Sequence, residues 1–214
     1  MTDIPRVSAR RLTPPRVPGW ARAVIVLCCA IELLLSAAPW LGWARGRIAA
    51  DLLGGFWSPL AFGATGLFPA QGAAMFVTYG LLHAGPMHLA MNMISLAAVA
   101  RMLNPLIGAR AMALSYGLSQ VAGGAAFALM VPQGGPMVGA SGAVFGLAGT
   151  LVGYAGASLT RRGRSLGPLI RPVGLILALN VALTLLMPQI AWQAHLGGAA
   201  MGAALGVVLG LRRR

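Results

Sequence analysis

The chain has 214 residues, 58% hydrophobic and only 9% charged, with sixteen basic side chains against three acidic ones. A soluble domain of this length has too little interior for so much apolar surface, so the composition excludes one and points to an all-α membrane protein. A net charge of +13 would suggest a nucleic-acid partner if the basic residues formed one patch with interleaved aromatics. They stand instead between apolar runs, as topology signals do, and no nucleic-acid partner is expected.

Residues 1–21 form a short basic segment with Arg6, Arg10, Arg11 and Arg16, and Pro5, Pro14, Pro15 and Pro18 deny it the amphipathic helix of a transit peptide. The first apolar run, 22–41, has no small-residue cleavage site after it and reads as a signal anchor. Cys28 and Cys29 are adjacent within it, too close for an unstrained disulfide and without metal-ligand spacing. Residues 42–85, with Arg45, Arg47, Asp51, Pro59 and Pro69, are too broken to span, and long structured connections usually carry function. Apolar runs then follow at 86–104, 110–131, 140–159, 168–187 and 192–211, each near the roughly 20 residues a bilayer requires. The expectation is one six-transmembrane-helix domain over 22–211, closed by a basic end at 212–214.

Orientation follows from arginine. With both termini cytoplasmic, the inner side receives fourteen of the sixteen basic residues and the outer side only Arg45 and Arg47. The connection 42–85 is then external, and the second, fourth and sixth helices all start from the outer face. All sixteen basic residues are arginine, a bias that suggests a high-GC bacterial source and an inner-membrane location.

The polar residues gather at those three outer ends. His83, His88 and Asn92 stand at the start of the second helix, Ser141 begins the fourth, and His195 lies one turn into the sixth, roughly 5 Å along its axis. These are all three histidines of the chain. Strongly polar groups in a membrane helix are costly and normally face a bundle interior or a wet cavity. His88 and Asn92, at i and i+4, share a face and are expected to act together. His83 precedes the break at Gly85-Pro86, and its expected role is to tie the outer connection to the second helix through hydrogen bonds.

Gly139-Ala140-Ser141-Gly142 follows a turn-rich stretch and delivers a serine flanked by small residues to a helix N-terminus. There the unpaired N–H groups can stabilise an oxyanion; the plainer reading is an N-cap serine. Gly198, Gly202 and Gly206 after His195, and Gly142, Gly146, Gly149 and Gly153 after Ser141, form two small-residue stripes. Such stripes let backbones approach closely, and here they offer a way to bring His195 to Ser141. A Ser–His pair is the minimum for nucleophilic acyl transfer. Asp3, Glu32 and Asp51, the only carboxylates, are badly placed for a third member, so packing must orient the histidine. Phe145, one turn from Ser141, is the candidate for that.

In order and setting, His83-xxxx-His88-xxx-Asn92, Gly139-Ala140-Ser141-Gly142 and Ala194-His195-Leu196-Gly197-Gly198 resemble the rhomboid family of intramembrane serine proteases over about residues 73–206. The resemblance implies Ser141 as nucleophile and His195 as general base and acid. It implies His88, Asn92 and the Ser141 N–H as oxyanion donors, and it implies no cofactor or metal. Substrates would be single-span transmembrane proteins, met in the lipid bilayer at a site towards the outer face, and 42–85 would be a membrane-dipping segment. Two departures stand in scaffold positions: Ala74-Met75 replaces a Trp-Arg pair, and Arg101-Met102-Leu103-Asn104 lacks a glutamate that many members carry. A rhomboid-like pseudoprotease that binds clients without cutting them is the alternative, and both Ser141 and His195 are present. A small transporter would require midplane polar groups or inverted repeats, to which only Glu32 lends support.

Overall fold

The computed structural model describes residues 16–171, 173–175, 178 and 191–212. Five helices among these are long and apolar enough to cross a membrane. The expected helix at 168–187 falls largely outside the described residues, as do Arg6, Arg10, Arg11, Arg213 and Arg214.

The first long helix, α1 (Gly19–Ala37), begins after Pro18 and starts and stops a few residues earlier than the apolar run suggests. Pro39 explains the early end, since it has no N–H to continue the ladder, and residues 38–42 turn instead. α1 buries only Ala21, Cys28 and Glu32; most of its surface is left for lipid. Cys28 and Cys29 are free thiols.

Between α1 and the next long helix lie three short helices, α2 (Gly46–Gly54), α3 (Ser58–Ala61) and α4 (Gln71–Thr78), and a 3₁₀ turn at Tyr79–Leu81. The last carbonyls of α2 have no helical partners and are satisfied from α4: Gln71 Nε2 donates to Leu52 O (2.8 Å) and Thr78 Oγ1 to Gly54 O (2.7 Å). Met75, where a Trp-Arg pair is absent, is fully buried beside Phe56 and Tyr79. Phe56 is the hub of this region. Its ring meets Phe76, Tyr79 and Phe127 edge-on at centroid distances of 4.9, 5.5 and 6.1 Å. Its backbone exchanges N–H···O bonds with Met137 (2.8 and 3.0 Å), tying the connection to the loop before Ser141.

α5 (Pro86–Ile107) starts with Pro86 in its first turn, where the missing N–H costs nothing. It runs past the expected end at 104 with Pro105 inside its last turn. Gly108, at φ 83°, is the whole link to α6 (Ala109–Met130), a backbone conformation that favours glycine. α7 (Ser141–Arg161) and α8 (Trp192–Arg212) complete the described bundle.

α7 and α8 run parallel with their glycines interleaved. A Cβ on Gly198 would overlap the Gly142 carbonyl oxygen, one on Gly202 that of Gly146, and one on Gly206 that of Thr150. The two backbones therefore touch, as small-residue stripes permit. α6 runs antiparallel against both: its Ser115 hydroxyl bonds Thr150 of α7, and Ala122 O lies 2.6 Å from where a Gly197 Cβ would stand. Leu96, Leu103, Met112, Val144 and Leu147 fill the core between α5, α6 and α7.

Candidate functional site

Three helix N-termini meet at one end of the bundle. Ser141 is the first residue of α7, His195 the fourth of α8, and His88 and Asn92 stand in the first two turns of α5. Ser141 is not an N-cap: that position belongs to Ala140, which makes no side-chain cap. The serine hydroxyl is engaged elsewhere, 2.8 Å from His195 Nε2. The helical ladder of α7 begins with Val144 N–H donating to Ala140 O (3.0 Å), so the N–H groups of Ser141, Gly142 and Ala143 have no acceptor within the helix.

Buried to 8% exposure, the His195 ring lies flat on Phe145 with centroids 4.3 Å apart and planes 11° from parallel. The glycine contacts that bring α8 against α7 thus set its height, and Phe145 sets its plane. Asp51, the one carboxylate in the connection, is held by its main chain: its backbone carbonyl accepts from Trp57 Nε1 (3.1 Å) and from Gly55 N–H (3.0 Å).

His88 stands close to the serine, beside Gly139. A Cβ on Gly139 would lie 2.8 Å from His88 Cε1, 3.1 Å from Nε2 and 3.7 Å from Ser141 Oγ. Gly139 therefore lets the His88 ring pack directly on the backbone beside Ser141 where a Cβ would collide, and its φ of 130° is one only glycine adopts comfortably. Its N–H donates to Tyr79 O (2.8 Å), which fixes the loop. Asn92 is buried, and its Nδ2 donates to the main-chain carbonyl of His88 one turn back (2.9 Å).

His83 makes its tie to the outer connection with its main chain. Its carbonyl accepts from Arg47 Nη1 (2.8 Å), while its ring nitrogens make no well-formed hydrogen bond and meet only the Leu81 backbone weakly. The ring is 1% exposed and meets His88 edge-on at 5.3 Å. Burial, followed by the neighbouring His88, pushes its pKa from 6.5 down to about 4. The unfolded chain binds that proton more readily, so stability falls as pH drops from 6.5 towards 4, by up to roughly 3 kcal/mol. Thermal unfolding in detergent should show a smaller acid loss in His83→Phe than in the wild type; equal losses in both would refute the assignment.

Arg47 is the residue that sequence reasoning missed, having counted only as an orientation signal. Its guanidinium makes a bidentate pair with Glu32 on α1, Nη2 to Oε1 at 2.6 Å and Nη1 to Oε2 at 3.1 Å. Ser36 Oγ donates to the same carboxylate (3.1 Å). Glu32 is 3% exposed on an otherwise apolar helix, and such a group needs a counter-charge. That requirement was the available signal, and Arg45 and Arg47 the two nearest candidates on the same side.

The arrangement offers a hydroxyl hydrogen-bonded to an imidazole, N–H groups without a helical acceptor beside it and a second imidazole packed on the neighbouring Gly139. Those are the parts required for nucleophilic acyl transfer. A family model described as the Rhomboid domain matches residues 70–212, which include all of these side chains. No curated protein matches the chain.

Proposed function

Because the chain belongs to the rhomboid family and is an integral multi-pass membrane protein, we propose that it is an intramembrane serine endopeptidase. It cuts peptide bonds in or near the transmembrane segments of single-span substrates. The observation that carries this reading is the 2.8 Å contact between Ser141 Oγ and His195 Nε2, made inside a bundle where a merely structural pair would be a costly ornament.

Ser141 Oγ attacks the scissile carbonyl carbon as His195 Nε2 takes its proton. The carbonyl oxygen becomes an oxyanion, met by the Ser141 N–H, His88 Nε2–H and Asn92. Collapse breaks the C–N bond, and His195 returns the proton to the departing amine. Water then attacks the acyl ester carbon as His195 takes its proton; the ester C–O bond breaks, the carboxylic product leaves, and His195 returns the proton to Ser141 Oγ. Phe145 does the orienting that a carboxylate does in a triad.

The domain is taken to span 22–211, with a sixth membrane helix at 168–187 and both termini on the cytoplasmic side. The fourteen-to-two division of arginine supports that orientation. The site then opens towards the outer face, in a bacterial inner membrane on the all-arginine composition. The test is to reconstitute the protein with a fluorescently tagged single-span substrate and look for cleavage. His88→Ala and Asn92→Ala should each slow turnover by about 10²–10³-fold with little change in KM, the loss expected for one oxyanion donor. If either variant raises KM and leaves kcat untouched, that residue is no oxyanion donor.

A further inference from the structure

Arg47 does more than neutralise Glu32. The His83 carbonyl that accepts from its Nη1 (2.8 Å) and the Ala84 N–H are two ends of one planar peptide unit. That N–H donates to His88 Nδ1 (3.2 Å). A cation on a peptide oxygen draws electron density from the nitrogen and strengthens its N–H as a donor, as bonds in a chain polarise one another. The ring nitrogen that accepts this bond cannot also hold the proton, so neutral His88 carries it on Nε2. The Cε1–Nε2 edge is the one that lies against Gly139, two residues before Ser141.

We propose that Arg47, held in place by Glu32, is a positioning residue that fixes His88 in its Nε2–H form through the 83–84 peptide, presenting a donor to the oxyanion. The effect on turnover rests on the protease reading; the effect on the His88 ring does not. The geometry explains why α1 carries a carboxylate at all. Glu32 holds the guanidinium with both oxygens, which leaves Nη1 aimed at one carbonyl, a forked arrangement that a lysine cannot reproduce in full. It also explains how a short external helix reaches the chemistry without touching substrate.

With three histidines in the chain, nitrogen-15 NMR of imidazole-labelled protein can follow each ring, His88→Ala supplying the assignment. The variant pair is Glu32→Gln with Arg47→Met, which removes both charges together and leaves no buried carboxylate unpaired. Wild-type His88 should show a protonated Nε2 and a hydrogen-bonded Nδ1. In the double variant the Nδ1 signal should move towards its unbonded position. Turnover should fall about tenfold with KM within about twofold, as when outer partners of site residues are removed. Arg47→Lys should restore most of the loss, and in a His88→Ala background the double change should cost no further turnover.

An unchanged His88 spectrum, or losses that multiply in the His88→Ala background, would overturn the proposal. If the double variant does not fold, Arg47→Lys alone decides: because lysine cannot reproduce the whole fork, a small Nδ1 displacement towards the unbonded position supports the proposal, and a signal identical to wild type overturns it. A wild type that cuts no substrate would sink the protease reading, and the histidine spectra would still decide whether Arg47 sets the state of His88.

Discussion

Ser141→Ala and His195→Ala should each abolish cleavage of a single-span substrate, lowering turnover by at least about a thousandfold. The two losses should not multiply: the double variant should be no slower than either single one, because nucleophile and base act as a unit. The 2.8 Å bond between them is already formed at rest, so neither depends on substrate to bring its partner into reach. Phe145→Leu should fall between these variants and wild type, since it removes the surface against which the His195 ring lies (4.3 Å, 11°) while leaving the proton acceptor. A gel or fluorescence assay in detergent suffices. Cleavage that persists in Ser141→Ala at wild-type rate would mean that another nucleophile is at work.

The second large effect is on assembly of the bundle. Gly202→Leu should unfold the protein or lower its melting temperature sharply, by more than about 3 kcal/mol of stability, because the new side chain begins on main-chain atoms that cannot rotate aside. Even the first carbon would overlap the Gly146 oxygen and lie 2.6 Å from its carbonyl carbon. Gly198→Ala is the subtler change. The same collision occurs one turn from the site, with Gly142 O and with Gly142 C at 2.7 Å, and the cheapest relief is to part α7 from α8 there. A separation of about 1 Å between reacting groups can cost about a hundredfold in rate. Gly198→Ala should therefore stay folded and lose most activity. A Gly202→Leu protein that melts with wild type, or a fully active Gly198→Ala, would show that the two backbones are not in contact.

The long elements could be read from the chain because a bilayer demands apolar runs of fixed length, and α1, α5, α6, α7 and α8 each answer one. Their ends were less legible. Pro39 stopped α1 early, whereas Pro105 did not stop α5, since one missing N–H near a terminus breaks little. Ser141, His195, His88 and Asn92 stood out for the same reason that makes them expensive: polar groups are rare in such helices, and four at one depth needed a common cause. The tie at His83 was legible, but not that its carbonyl would make it, because a sequence shows a donor and an acceptor but not whether the backbone will do the bonding instead. Arg47 was missed because its partners lie 15 and 36 residues away, and only the folded connection brings a glutamate and a carbonyl to the same guanidinium.

Phe56 has a practical consequence for any work on this protein outside a membrane. The connection over the site is moored by a fully buried aromatic ring, a pair of main-chain bonds to Met137 and the Gln71 and Thr78 bonds to α2, none of which involves lipid. The wall on that side of the serine is thus built from protein alone. Exchanging bilayer for micelle removes the solvent around the wall and leaves its fastenings, so the backbone beside Ser141 should keep the same geometry in detergent as in a membrane.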